Sequence, residues 1–72
     1  MQHMPPHQQR VINELFELEE KLNNLRTFIQ SNPIFNTLDA TEQGRLIQQS
    51  EVMAKYSQIL DERINAFVAD II

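Results

Sequence analysis

Apolar residues at Val11, Leu15, Leu18, Leu22, Leu25 and Ile29 alternate spacings of four and three, the a/d pattern of a helix that buries one stripe. Ile12, Phe16 and Phe28 flank that stripe, and Gln9, Asn13, Glu17, Glu20 and Asn24 form the polar side. No breaker intervenes between Pro6, which suits the first helical position because it lacks an N–H, and Ser31. The pattern predicts a helix over Pro6–Ser31. Pro33 ends it, because proline disfavours helical geometry at Asn32 and cannot extend the ladder.

A second stripe of Leu46, Met53, Tyr56, Leu60, Ile64, Phe67 and Ile71 predicts a helix from Asp39 to Phe67, extendable to the C-terminus. Ile47, Val52, Ile59 and Val68 lie beside it, and the place between Leu46 and Met53 falls to Gln49 or Ser50. Thr37 or Asp39 is placed to cap this helix, and Asp39 to Glu42 has capping-box spacing. Gly44, in its first turns, costs up to ~1 kcal/mol relative to Ala. The connection from Asn32 to Leu38 is short, which predicts antiparallel neighbours, with Ile34, Phe35 and Leu38 plugging the closed end.

The expected fold class is all-α: an antiparallel two-helix hairpin. Residues 1–5 read as a flexible N-terminal lead and residues 6–72 as a single helical-hairpin domain. The stripes are wider than one hairpin can cover, above all around Val52-Met53 and Ile59-Leu60. The expected assembly is therefore a homo-oligomeric helical bundle, a dimer of hairpins in the simplest case.

Composition sharpens this picture. A chain of 72 residues has a marginal core, and with no Cys it has no disulfide to reinforce it. A single Gly disfavours an all-β chain, which needs many turns. Six Lys+Arg against ten Asp+Glu leave a net charge of −4, which argues against wrapping nucleic-acid backbone. No apolar run approaches membrane-spanning length, and Met1-Gln2-His3-Met4-Pro5-Pro6 lacks the pattern of a signal peptide. These features predict a cytoplasmic protein with neither nucleic acid nor membrane as partner.

Catalytic patterns are missing: no nucleophile signature, no Gly-rich phosphate loop and no HExxH motif occurs. Glu17, Glu19 and Glu20 cluster without a His at ligand spacing, and Pro5-Pro6 interrupts the helix that His3 and His7 need to share a metal. The expectation is a non-enzyme with no metal and no cofactor. Folding at the turn brings Arg10 towards Leu60, Glu14 towards Tyr56, Lys21 towards Gln49 and Arg63 towards His7. A polar cluster then gathers at the open end, and two readings of it stand. One is surface ion pairs beside an aromatic at the core edge. The other is an anion pocket in which Arg10 and Arg63 fork onto phosphate and Tyr56 stacks on a base, with Gln9, Glu14, Lys21 and Gln49 around them. Arg26 is placed to face Gly44 and Arg45, where a missing side chain permits close approach.

Pro6-His7-Gln8-Gln9-Arg10-Val11, the series Glu14, Leu18, Lys21, Leu25 and Phe28-Ile29, then Phe35, Leu38, Met53, Tyr56-Ser57, Leu60 and Glu62-Arg63-Ile64 carry a family resemblance. Over roughly Pro6 to Phe67 the chain resembles short accessory proteins of tailed phages and prophages, related to a crAss-like phage protein. Leu38-Asp39 departs from a Leu-Pro of that pattern and preserves a helix start. The resemblance implies a protein expressed in the cytoplasm of an infected bacterial host. By analogy with small anti-defence proteins, it implies sequestration of a nucleotide immune signal, a cyclic oligonucleotide or an ADP-ribose derivative, without cleavage. A helical module that binds a host protein, and a bundle whose only partner is itself, are the competing readings.

Overall fold

The computed structural model describes residues 4–69, and the expectations for His3 and Ile71 lie outside them. The chain folds as α1 (Pro6–Ser31), a short 3₁₀ segment (Pro33–Thr37) and α2 (Ala40–Ala69). Among the described residues there is no strand. The two helices pack antiparallel along their length and make a rod of 53 × 16 × 16 Å.

Each boundary has a local cause. Pro6 takes the first helical position of α1, and the Pro5 carbonyl accepts from Gln8 N at 3.0 Å and Gln9 N at 3.1 Å. Asn32 turns extended ahead of Pro33, as a residue before proline must, and its Oδ1 accepts from Ile34 N at 2.9 Å. Asp39 is the cap of α2: its Oδ1 accepts from Glu42 N at 2.7 Å. Thr37 turns the other way, its hydroxyl donating to the Ile34 carbonyl. The Glu42 carboxylate pairs forward with Arg45 at 3.2 Å.

The α1 seam is the predicted one. Val11, Leu18 and Leu22 are buried, and Leu15, Leu25 and Ile29 are partly so. Along α2 the seam runs through Leu46, Ser50, Met53, Ser57, Leu60, Ile64 and Phe67, each partly or fully buried, and keeps the same four-three alternation, with Ala54 partly buried beside it. This corrects the sequence reading at one place. Ser57 holds the seam position expected for Tyr56, and Tyr56 stands 40% exposed. Steps of three then four and of four then three both connect Met53 to Leu60, so spacing alone left the choice open. Only the second keeps α2 in phase with α1, and it leaves the phenol at the edge, where its hydroxyl meets water. Ser50 rather than Gln49 fills the earlier place, its hydroxyl donating to the Ile47 carbonyl at 2.6 Å.

Among the described residues Leu60 is the one fully sealed side chain, clustered with Val11 and Leu18 and flanked by Leu15, Met53, Ile64 and Phe67. Its level on α1 is therefore between Val11 and Leu18, further from the open end than Arg10. The hairpin covers its own seam and leaves a rind of apolar side chains outside it. Phe16 is 71% and Val52 61% exposed, with Ile47 and Ile59 also in water. Gly44 serves no close approach, since a Cβ added there meets nothing within 4 Å; Arg26 borders a hollow on a different part of the surface.

Candidate functional site

The burial pattern fixes which side of the hairpin each candidate occupies. At about 100° per residue, positions one before and one after a seam residue diverge to opposite flanks. On α1, Glu14 and Lys21 lie on one flank with Arg10 behind them, and Glu19 and Arg26 lie on the other. On α2, Gln49, Tyr56 and Arg63 recur every seven residues and stand in a row along a single flank. The hollow lined by Glu19, Leu22, Arg26 and Ser57 ties the Glu19 flank of α1 to the Ser57 side of the α2 seam. Tyr56, on the far side of that seam, therefore falls with Glu14 and Lys21.

Six of the seven expected site residues thus share one long side: Arg10, Glu14, Lys21, Gln49, Tyr56 and Arg63. Gln9 does not. It lies one place short of Arg10, on the flank of Phe16, where its Nε2 donates to Asn13 at 3.2 Å. The side chains that share a side are exposed, apart from the half-buried Glu14, and no hydrogen bond or ion pair joins Arg10, Glu14, Lys21, Tyr56 and Arg63 to one another. Gln49 turns along its own helix, its Nε2 3.8 Å from Met53 Sδ.

Charge is divided between the two sides. The Tyr56 side carries Arg10, Lys21, Arg45 and Arg63, four of the six Lys+Arg in the chain. Glu14, Glu17 and Glu42 accompany them, and Glu42 is occupied by Arg45. Glu19, Glu20, Glu51, Asp61 and Glu62 lie on the remainder of the surface with Arg26 and Lys55. A chain with a net charge of −4 therefore presents one side on which unpaired cations outnumber unpaired carboxylates. Around Tyr56 the exposed Val52 and Ile59 add apolar surface, so an aromatic ring and an apolar ridge occupy the same side of the hairpin as the guanidinium groups. That combination suits a ligand with a flat ring and an anionic group.

One residue escaped the sequence reading. Gln8 takes the seam place before Val11, and its Oε1 is buried without a partner among the described residues. The signal was present, since Gln8 continues the four-three spacing of α1 towards the open end. A polar side chain in that register marks where the apolar seam ends. No group of three or more metal-ligating side chains forms among the described residues, and no described helix is long and apolar enough to cross a membrane.

No curated protein and no solved structure matches the chain. A family model described as Sequestin matches residues 5–66, from the proline lead-in through nearly all of α2, and the chain belongs to the Sequestin family.

Proposed function

We propose that this protein binds a small anionic, nucleotide-derived immune signal and withholds it without cleaving it. The family's name speaks of sequestration, and a sequestering role needs a binding surface and no catalytic set. The observation that carries the reading is the shared placement of Arg10, Lys21, Tyr56 and Arg63 on one side of the hairpin. Arg63 and Arg10 supply planar forks for phosphate, and Tyr56 supplies a stacking face for a base. Glu14 accepts a ribose hydroxyl or orients an arginine, and Lys21 and Gln49 extend the contact along the rod. Because that side is open in a single hairpin, the pocket forms at a junction between copies, in a homo-oligomeric bundle. The setting is a phage accessory protein acting in the cytoplasm of an infected bacterium.

Calorimetric titration with cyclic dinucleotides and cyclic ADP-ribose derivatives tests this reading. Wild type binds at least one member of the panel, Arg63→Ala binds it about ten- to a hundredfold more weakly, and heating releases the ligand intact. Equal binding by both proteins removes Arg63 from the site. A released ligand that has been cleaved overturns the non-catalytic role. If wild type binds no member, the exposed ridge of Val52, Tyr56 and Ile59 favours the second reading, a helical surface that engages a host protein.

A further inference from the structure

Two carboxylates among the described residues are half-buried, Glu14 and Glu42. Glu42 pairs with Arg45, whereas Glu14 has neither an ion pair nor a hydrogen bond among the described residues. A carboxylate drawn partly out of water can only accept, so its burial stays costly until a donor reaches it. Arg10 stands one turn earlier on α1, yet no ion pair forms between them. An acidic residue ahead of a basic one is the better order for such a pair on a helix, and Arg10 and Glu14 have the reverse. The donor that Glu14 lacks is therefore sought outside the hairpin.

Its level along the rod indicates which donor. Leu60 lies opposite the stretch from Val11 to Leu18, and Glu14 stands in the middle of that stretch. From Leu60, Arg63 is three residues towards the open end and Tyr56 four towards the tip, ~4.5 Å and ~6 Å along the axis. Arg10 is displaced from Glu14 towards the open end, as Arg63 is. The order along this side is thus two guanidinium groups, one carboxylate and one phenol ring. A nucleotide has a matching order of phosphate, ribose and base. With phosphate on the arginines and the base on Tyr56, the ribose comes to Glu14, and the donors of a ribose are its hydroxyls.

We propose, resting on the reading of this side as a nucleotide surface, that Glu14 accepts a hydrogen bond from a free ribose hydroxyl and so selects ribonucleotide signals over their deoxy counterparts. A hydroxyl is the group by which proteins tell the two sugars apart, and its bond to a carboxylate is short and charge-assisted. For a ligand without that donor, the same carboxylate is a desolvated like charge close to the phosphate. Glu14 therefore favours one sugar and opposes the other. A second copy that closes the pocket leaves this order along the chain unchanged.

Calorimetric titration of the full chain tests this with cyclic di-AMP, cyclic di-GMP and cyclic ADP-ribose, each beside an analogue stripped of its free ribose hydroxyls. For the dinucleotides linked 3′ to 5′, that analogue is the 2′-deoxy form. Wild type binds the ribose form of its ligand about ten- to a hundredfold more tightly than the stripped form. Glu14→Ala, which keeps the hairpin helical by circular dichroism, moves the two in different directions. It binds the ribose form more weakly than wild type does, and the stripped form as tightly or more tightly. A variant that weakens both forms alike has lost fold, or a carboxylate that orients Arg10, and overturns the role of Glu14. Equal binding of the two forms by wild type overturns it as well. In either case the nucleotide reading survives if Arg63→Ala still weakens binding. If wild type binds neither form of any probe, the nucleotide reading falls and the role of Glu14 falls with it.

Discussion

Phe28 and Phe35 meet edge to face, with ring centroids 6.2 Å apart and planes at 89°. The contact joins the last turn of α1 to the 3₁₀ segment and closes the tip of the hairpin over a buried Phe35. Such a pair contributes ~0.5–1.5 kcal/mol beyond the area it buries. The surrounding backbone is tied as well. Gln43 Nε2, on α2, donates to the carbonyls of Phe35 at 3.0 Å and Leu38 at 2.9 Å, so the second helix holds the connection from the far side.

Phe35→Ala should therefore cost ~3–5 kcal/mol, most of the stability of a chain this small. Urea denaturation followed by circular dichroism reads it. A midpoint equal to that of wild type would show that the tip does not hold the fold.

Gln43→Ala strands the Leu38 carbonyl at a half-buried site and takes one of two donors from the Phe35 carbonyl, which keeps Leu38 N at 3.2 Å, and the expected loss is ~1–3 kcal/mol. Gln48→Ala, on the exposed face of the same helix, should stay within ~0.5 kcal/mol of wild type. The comparison separates the two bonds from the general effect of shortening a glutamine.

Gly44→Ala goes in the opposite direction. The site is exposed and helical and has open space for a Cβ, so alanine should add up to ~1 kcal/mol. A thermal midpoint that fails to rise would mean that some assembly uses the bare backbone there.

Leu60→Ala and Tyr56→Ala test the register of α2. Leu60 is 0% exposed, and its truncation should cost ~2–5 kcal/mol. Tyr56→Ala at the edge should cost ~1 kcal/mol or less. Comparable losses for both would restore Tyr56 to the seam.

The limits of α1 were readable from sequence because heptad, proline and absence of breakers all agree between Pro6 and Ser31. The register of α2 was not, because Tyr56 and Ser57 satisfy the same spacing and apolar character favours the wrong one. Burial of a serine in a seam has no signature in composition. It follows from matching two seven-residue periods across the interface, which needs both helices in place. The candidate site was legible in part. Gln49, Tyr56 and Arg63 lie seven apart and had to share a flank, whereas Gln9 and Arg10, adjacent in sequence, diverge to different sides. The orphaned Oε1 of Gln8 depends on where α2 passes, which spacing alone does not give.

The closed tip also sets an order of events in folding. Phe28 and Phe35 are few residues apart, whereas Val11 and Leu60 enclose about two thirds of the chain, and the entropy of closing a loop rises with its length. The hairpin therefore zips from the Phe28–Phe35 contact outwards and unzips from the opposite end inwards. Amide exchange should run as a gradient, slowest in the facing turns near the tip and fastest where Arg10 and Arg63 stand. The two arginines sit on the stretch that parts first and shuts last, so anything that bridges them there acts as a clasp on the whole zip.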